Sequence, residues 1–462
     1  MNDYWDALRS VFSGRKVICV GEVSASFALT VDQLYRLGAS EVLVASFGHG
    51  TGPQPKNATI AILPSGARPK TSMESIRAEH AALSNPSPDL LAAIDAFDDD
   101  RTAVLVSHFL NCVPTLDGRP FLSYRRPEWL ALEDKSVIDE FWDRIGVRRS
   151  VSKTTRVDPY HLQVASIEMA NDAGVVWSGD ARDGFNGGGE YVRWLRDESD
   201  LESATKYFAP RCDLVRVMPF LEGIPCSVHG IVFDNSVAVL RPVEMVVLRR
   251  TEPHEKGPLL YAGCASFYDP PDEVRAEMRE LARRVGSALR AEVGFHGAFT
   301  VDGVATAAGF LPTELNPRMG AGLSVILGGL SDLPIQLLLD ALVGGVALDI
   351  DPVEFEAELL EAADRDRAGG TWMSIPGVTL PDAMRPAVFS SRVWRWASDG
   401  EPADATITTG PSVLGSFVRF RFSGSRTPVG PSVGERAAAA WAFVDSEFGT
   451  GIGRLTAAPD VC

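Results

Sequence analysis

Residues 294–322 read GFHGAFTVDGVATAAGFLPTELNPRMGAG. The pattern is that of two β-strands joined by a hairpin turn, the first ending at Asp302 and the second presenting Glu314, Asn316 and Arg318. Residues two apart on a strand share a face, so one side of the second strand offers a carboxylate, an amide oxygen and a guanidinium. With Asp302 on the neighbouring strand turned to the same side, the oxygens make a hard donor set of the kind Mg²⁺ prefers, with positions left for substrate phosphates. Arg318 would then hold a phosphate oxygen or a developing phosphoryl charge.

The rest of the chain limits what such a site can serve. Its 462 residues, 45% of them hydrophobic, suffice for roughly three domains of ~150 residues with filled cores. Forty-four basic against 61 acidic residues give a net charge of −17, a field that repels nucleic acid and anionic lipid. A polyanion bound here needs a local site, one with a metal. Only seven basic residues are lysines (Lys16, Lys56, Lys70, Lys135, Lys153, Lys206, Lys256), which makes a lysine inside a motif informative. The first 16 residues carry acids and lack the apolar run of a secretory signal, so a cytoplasmic protein is expected. Residues 321–350, the most apolar stretch, are interrupted by Ser331, Asp332, Pro334, Gln336 and Asp340. They fall short of the ~20-residue run of a membrane span and read as buried helix. Six scattered cysteines without a CxxC pair fit neither a zinc site nor a disulfide framework.

Around the hairpin the pattern is α/β and α+β. Residues 16–20 (KVICV), a helix-like stretch at 27–37 and residues 41–47 (EVLVASF) form a strand–helix–strand unit, and 102–108 (TAVLVSH) adds a strand. Such continuous apolar strands predict a parallel sheet buried on both faces, hence a Rossmann-like N-terminal domain over residues 1–130. Helices are expected at 134–145, 159–172 and 271–292, and strands at 174–177, 214–220, 227–233, 237–247, 297–301 and 309–315. They define a middle domain over 131–350, with a small lobe at about 150–220 and a central lobe at about 221–350. A helix at 352–363, a strand at 388–396 and an Ala-rich helix at 433–448 make a small C-terminal domain over 351–462.

Asp302, Glu314 twelve residues later, and the run ELNPR resemble the metal-binding end of the ATP-grasp superfamily, where an acidic residue on one strand is followed about a dozen residues on by Glu-x-Asn and an Arg. The resemblance covers about residues 130–345 and implies the ATP-grasp fold, ATP and Mg²⁺ as cofactors, Asp302, Glu314 and Asn316 as metal ligands, and Arg318 as a catalytic cation. Residues 133–135 (EDK), opening a helix, resemble the first nucleotide-binding lysine segment and place Lys135 on ATP phosphates. Residues 214–228 (LVRVMPFLEGIPCSV) resemble the family's hinge strand, where backbone groups of Met218, Pro219, Phe220 and Leu221 would read the adenine edge. Residues 175–192 (VVWSGDARDGFNGGGEYV) resemble the strand and glycine-rich loop that fold over the triphosphate, Gly187 and Gly188 bringing backbone N–H groups close. Here the chain departs from the family. The second phosphate lysine is missing, with Trp177 or Ser178 in its place, and either Arg182 would take over its charge or Lys153 would swing in. The usual acidic ribose ligand is replaced by Pro225, with Glu222 as a substitute.

ATP-grasp ligases of this kind activate a carboxylate as an acyl phosphate and join it to an amine, releasing ADP and phosphate, largely through positioning and electrostatics. The wording of residues 177–192 and 222–232, with the extra C-terminal domain, looks most like the pheganomycin-type peptide ligases. That likeness implies an amino acid carboxylate and the amine of an amino acid or peptide as small-molecule partners, and a homodimer by analogy. Arg241, Glu244, Arg249 and Arg250 are candidates for holding substrate carboxylates or guiding the acceptor. Two other functions use the same residues: a CoA or other thiol ligase working through the same acyl phosphate, and a degenerate, non-catalytic ATP-binding protein.

Overall fold

The structure is a computed structural model describing residues 4–458 apart from 64, 65, 67, 68, 183, 185, 186, 251–257, 328, 329 and 331. The N-terminal sheet is parallel, with four strands in the order Thr59–Ile62, Glu41–Gly48, Lys16–Val23, Val104–Ser107. Its strands are apolar throughout because both faces are covered. Val17, Cys19 and Val44 pack toward the helices Tyr4–Phe12, Ala28–Arg36 and Ile335–Val343, while Ile18, Val20 and Leu43 pack toward Ser72–Ser84 and Pro88–Phe97.

The small lobe is an antiparallel sheet in the order Lys153–Arg156, Leu214–Pro219, Val175–Gly179, Val192–Leu195, backed by the helices Pro159–Met169 and Glu198–Phe208. The central lobe is built on strands Ile224–Val232, Gly297–Thr306 and Gly309–Asn316, against which the helix Asp272–Val293 lays Met278, Val285 and Leu289. Each such fully buried side chain contributes roughly 1.5–3 kcal/mol. Gly294 ends that helix at φ +58°, a conformation glycine adopts without strain.

The central sheet does not stop at residue 350. Strand Leu260–Ala265 pairs with Gly369–Pro376, which pairs with Gly415–Phe422, so twelve strands form one sheet running into the C-terminal part. Glycines let the backbones meet there: a Cβ on Gly370 would stand 1.8 Å from the Phe420 carbonyl oxygen.

Several elements differ from the pattern-based reading. The expected strand over 237–247 is two, Val237–Val239 and Val243–Arg250, because Pro242 lacks a ladder N–H and Arg241 turns into ion pairs with Asp269 and Asp364. The expected strand at 388–396 is a hairpin, Ala383–Ser390 and Val393–Trp396, turned by Ser391 and Arg392 at φ 53° and 63°. The helix expected from 134 starts only at Ile138, since Asp134 holds the N–H and hydroxyl of Ser136 in a turn. The apolar stretch 321–350 is divided between helices Ala321–Ile326 and Ile335–Val343. Among the described residues no helix is long and apolar enough to cross a membrane and no cysteine forms a disulfide; Cys462 lies outside them.

Candidate active site

The hairpin places Asp302 opposite Glu314 and Thr300 opposite Asn316. Asp302 lies inside its strand, which continues to Thr306, rather than ending it as the sequence pattern predicts. The neighbouring strand sets Ser227 beside Asp302 and His229 beside Thr300. One face of the sheet therefore carries two rows: Ser227, Asp302 and Glu314, then His229, Thr300 and Asn316.

Asp302 Oδ1 accepts from Ser227 Oγ at 2.5 Å and Oδ2 from Asn316 Nδ2 at 2.9 Å. Glu314 Oε1 pairs with Lys135 Nζ at 2.8 Å. Arg318, just past the strand end, donates from Nη2 to Asn316 Oδ1 at 2.9 Å, and its Nε lies 3.3 Å from Glu133 Oε1. Burial, then the facing charge of Glu314, pushes the Asp302 carboxyl above the ordinary range, against the pull of Ser227, Arg318 and Lys135. A divalent cation relieves that strain, so the donor set fits one. No group of three or more His, Cys, Asp and Glu side chains among the described residues is arranged to hold a metal. An ion here would take Asp302, Glu314 and the amide oxygen of Asn316, with substrate oxygens completing its shell.

Lys135, Glu314, Met218, Pro219, Phe220 and Leu221 line one cleft of ≈ 840 Å³, solvent at its mouth included. The structure thus brings together residues that the sequence separates by up to 179 positions. Arg216, on the same strand as Met218, grips Asp139 with two nitrogens (2.9 and 2.7 Å) and reaches the Thr313 carbonyl at 3.4 Å, tying the small lobe to the hairpin. Phe220 spends its backbone N–H on Gly174 and its carbonyl on Asn171, and its ring stacks on Trp194 at 4.2 Å. Ala458, from the far end of the chain, also lines the cleft.

Other sequence-predicted residues lie elsewhere. Trp177 turns into the small-lobe core with its indole N–H on Ser166, and Ser178 takes the cleft-lining place. Arg182 reaches Asp213 at 3.2 Å and the Pro210 carbonyl at 2.7 Å; Lys153 pairs with Glu168; Glu222 is exposed. Gly187 and Gly188 do not line the cleft, although Gly189 packs on the carbonyl of Leu259, which does. Arg241, Glu244 and Arg249 are buried ties outside the cleft. Arg241 pairs with Asp269 and Asp364, and Arg249 lies over the Trp194 ring at 4.0 Å. Glu244 accepts from the Ser432 hydroxyl and Val433 N–H at the start of helix Gly434–Phe448, while burial pushes its carboxyl up to about 7.

Arg318 also lines a second, shallow cavity of ≈ 430 Å³ with the open solvent at its mouth included, where the end of the N-terminal sheet meets the loop after Asn316, together with His108, Asn111, Arg125 and Asp340. Glu133 bridges Arg318 and Arg125, the latter at 2.6 Å. Enclosure by its surroundings, then the charges of Arg318, His80 and Arg125, lowers the His108 pKa, although the side chain stays exposed to solvent. The sequence reasoning missed Ser227, His108 and Arg125. His108 carried a usable signal, since it ends an apolar parallel strand, where α/β sheets bind ligands. Ser227 stands in an apolar run and offered none.

No family model matches the chain, and no curated protein does. Solved structures do. An N5-carboxyaminoimidazole ribonucleotide synthetase in its ADP complex aligns over 95% of this chain and 98% of its own, at TM-score 0.52 and 12% identity. The biotin carboxylase domain of Hydrogenobacter thermophilus 2-oxoglutarate carboxylase, in complex with MgADP, ADP and bicarbonate, aligns over 89% of this chain and 86% of its own (TM-score 0.53, 13% identity). Biotin carboxylase from Campylobacter jejuni in complex with β-γ-ATP aligns over 90% and 89% (TM-score 0.54, 11% identity). At such identities the likeness is one of fold, and the fold is ATP-grasp, with a Rossmann-like N-terminal domain in front.

Proposed function

We propose that the chain is an ATP-dependent carboxylate–amine ligase that uses Mg²⁺, and that it joins the carboxylate of an amino acid to the amino group of an amino acid or peptide. The observation that carries this reading is the facing pair Asp302 and Glu314, flanked by Asn316 and Arg318, with Glu314 lining the cleft that also holds Lys135 and the segment 218–221. In the first step a substrate carboxylate oxygen forms a bond to the terminal phosphorus of ATP and the bond to ADP breaks. In the second an amine nitrogen attacks the acyl carbon, phosphate leaves, and the amine gives up a proton. A bound Mg²⁺ would neutralise charge on the phosphates. Arg318 and Lys135 supply positive charge, and the strand face holds the groups in position.

Solved structures of the same fold bound to ADP or an ATP complex support the nucleotide. The amine acceptor and peptide product rest on the sequence resemblance. The test is to incubate the chain with ATP, Mg²⁺ and a panel of amino acids and peptides and to look by mass spectrometry for condensation with loss of water. A dipeptide or longer product with matching ADP release supports the reading. A product only with CoA or another thiol replaces it by thiol ligation, and ATP binding without hydrolysis on any carboxylate removes the catalytic reading.

A further inference from the structure

The N-terminal sheet reverses its strand order between Lys16–Val23 and Val104–Ser107, and the crevice past the carboxyl ends of such strands is where open α/β sheets bind ligands. Here that crevice carries side chains used neither by the nucleotide cleft nor by the metal pair. Glu22 comes from the end of the first strand, and Ser75 and Glu79 come from helix Ser72–Ser84, one turn apart on one face. Ser75 donates to Glu22 Oε1. Glu79 is only 9% exposed. Its carboxyl reaches over Gly21, where an added Cβ would stand 3.8 Å from Oε1, and among the described residues no hydrogen bond or ion pair satisfies it.

The neighbouring groups do not supply the missing partner. His80 Nε2 lies 3.0 Å from the Leu110 carbonyl, which keeps the proton on that nitrogen and leaves Nδ1 to accept from Cys112 Sγ at 3.2 Å. Burial lowers the His80 pKa, against the pull of the Leu110 carbonyl, so the ring is neutral at pH 7. Arg125 is engaged with Glu133. Burial, then the negative charge of Glu22, pushes the Glu79 carboxyl up to about 8, so at neutral pH it retains a proton where an external cation would replace it. A buried carboxylate is tolerated when a cation pairs with it.

We propose that Glu22 and Glu79 bind an ammonium group carried by one of the two molecules being joined. Two carboxylates from different elements match the three divergent donors of an ammonium better than the flat fork of a guanidinium. The crevice and the reacting loop share one neighbourhood: His108 feels the charges of both His80 and Arg318, and the N-terminal end of the Ser75–Glu79 helix touches the glycine-rich loop through Thr71 and Glu190 at 3.5 Å. The site would therefore select amino acids over plain carboxylates. Which molecule carries the ammonium rests on the ligase reading; the site itself does not.

The experiment uses the whole chain labelled with ¹³C at glutamate carboxyls, titrated with ethylammonium and with alaninamide at constant ionic strength, and with sodium and propionamide as controls. The expected result is a saturable shift of the Glu22 and Glu79 resonances with the two ammonium probes only, weakened about tenfold or more when read at Glu22 in Glu79→Gln and at Glu79 in Glu22→Gln. Both variants should bind a fluorescent ATP analogue as the parent does, which shows that they are folded. No saturable shift, the same shift with sodium, or unchanged ammonium binding in a folded variant overturns the proposal. Turnover is not read, so failure to form any amide product would remove the ligase reading and leave this result standing.

Discussion

Replacing Ser227 with alanine removes one hydrogen bond from the half-buried Asp302 and leaves the strand ladder in place. The hydroxyl donates to Asp302 Oδ1 at 2.5 Å. A hydrogen bond to a charged acceptor contributes about 1.5–3 kcal/mol and one to a neutral acceptor about 0.5–1.5 kcal/mol. The difference, about 1 kcal/mol or slightly more, acts on the ionised carboxylate alone, and about 1.4 kcal/mol corresponds to one pH unit. Asp302 in Ser227→Ala should therefore titrate about one unit higher than in the parent, on top of the rise that burial and Glu314 already impose. The assay is ¹³C-carboxyl titration of labelled aspartate, with the resonance identified by Asp302→Asn. Stability follows the same sign. A carboxyl whose folded pKa is raised contributes most below its unfolded value near ~4, and the contribution is lost as pH rises through the folded value. The cost of Ser227→Ala should thus grow between pH 4 and pH 8, the acid limb of Mg²⁺-dependent turnover should move upward, and the alkaline plateau should change little. A midpoint that stays put or falls, or a cost independent of pH, would refute the two-row arrangement of the sheet face.

Glu314→Gln removes both the partner of Lys135 and one of the two facing carboxylates. Carboxylate-stimulated ADP release should drop by about a hundredfold or more while a fluorescent adenine nucleotide still binds without Mg²⁺; unchanged turnover would take the pair out of the reaction. Gly370→Ala drives a Cβ to within 1.8 Å of the Phe420 carbonyl oxygen, which a backbone atom cannot evade. A loss of about 2 kcal/mol or more is expected, read as a lower melting temperature, and a melt equal to the parent's would mean that the central sheet is not continuous across residue 369.

What could be read from the chain is what is local. The parallel strands announced themselves because burial on both faces makes each an unbroken apolar run, and the hairpin did so because Asp302, Glu314 and Asn316 fall within fifteen residues. Strand Gly415–Phe422 is also legible in the sequence: Ser416, Val418, Phe420 and Phe422 are buried while Arg419 and Arg421 are exposed, a period of two. Its pairing with Gly369–Pro376 was not readable, because register between strands some 45 residues apart is set by tertiary packing. The turn at Ser391 and Arg392 carries no Gly or Asn to mark its positive φ. Arg241, Glu244 and Arg249 look like a solvated or substrate-facing cluster in one dimension, and only the fold shows each spent on a partner remote in sequence.

The absence of the second lysine that the resemblance to ATP-grasp enzymes implies has a physical account. Ser178 stands in the cleft at that strand, Arg182 and Lys153 are engaged with Asp213 and Glu168, and Lys135 is the one cationic side chain among the described residues lining the cleft. Lys135 is paired, however, with Glu314, the carboxylate that a divalent ion would claim. Once Glu314 turns to an ion, the ammonium no longer has its partner and faces the same cavity as the phosphates. One lysine that changes partner would then serve where a family member uses two, and in a chain of net charge −17 the cation would be a condition for nucleotide entry rather than an addition to it. The consequence is coupling: Mg²⁺ should strengthen ATP binding, ATP should strengthen Mg²⁺ binding by the same factor, and Lys135→Met should reduce that factor while leaving Mg²⁺ affinity without nucleotide equal or higher, because Glu314 is released. Isothermal titration of each ligand in the presence and absence of the other measures all four affinities. Additive binding in the parent, or a coupling factor that Lys135→Met does not change, would mean that the phosphates are held by some other group.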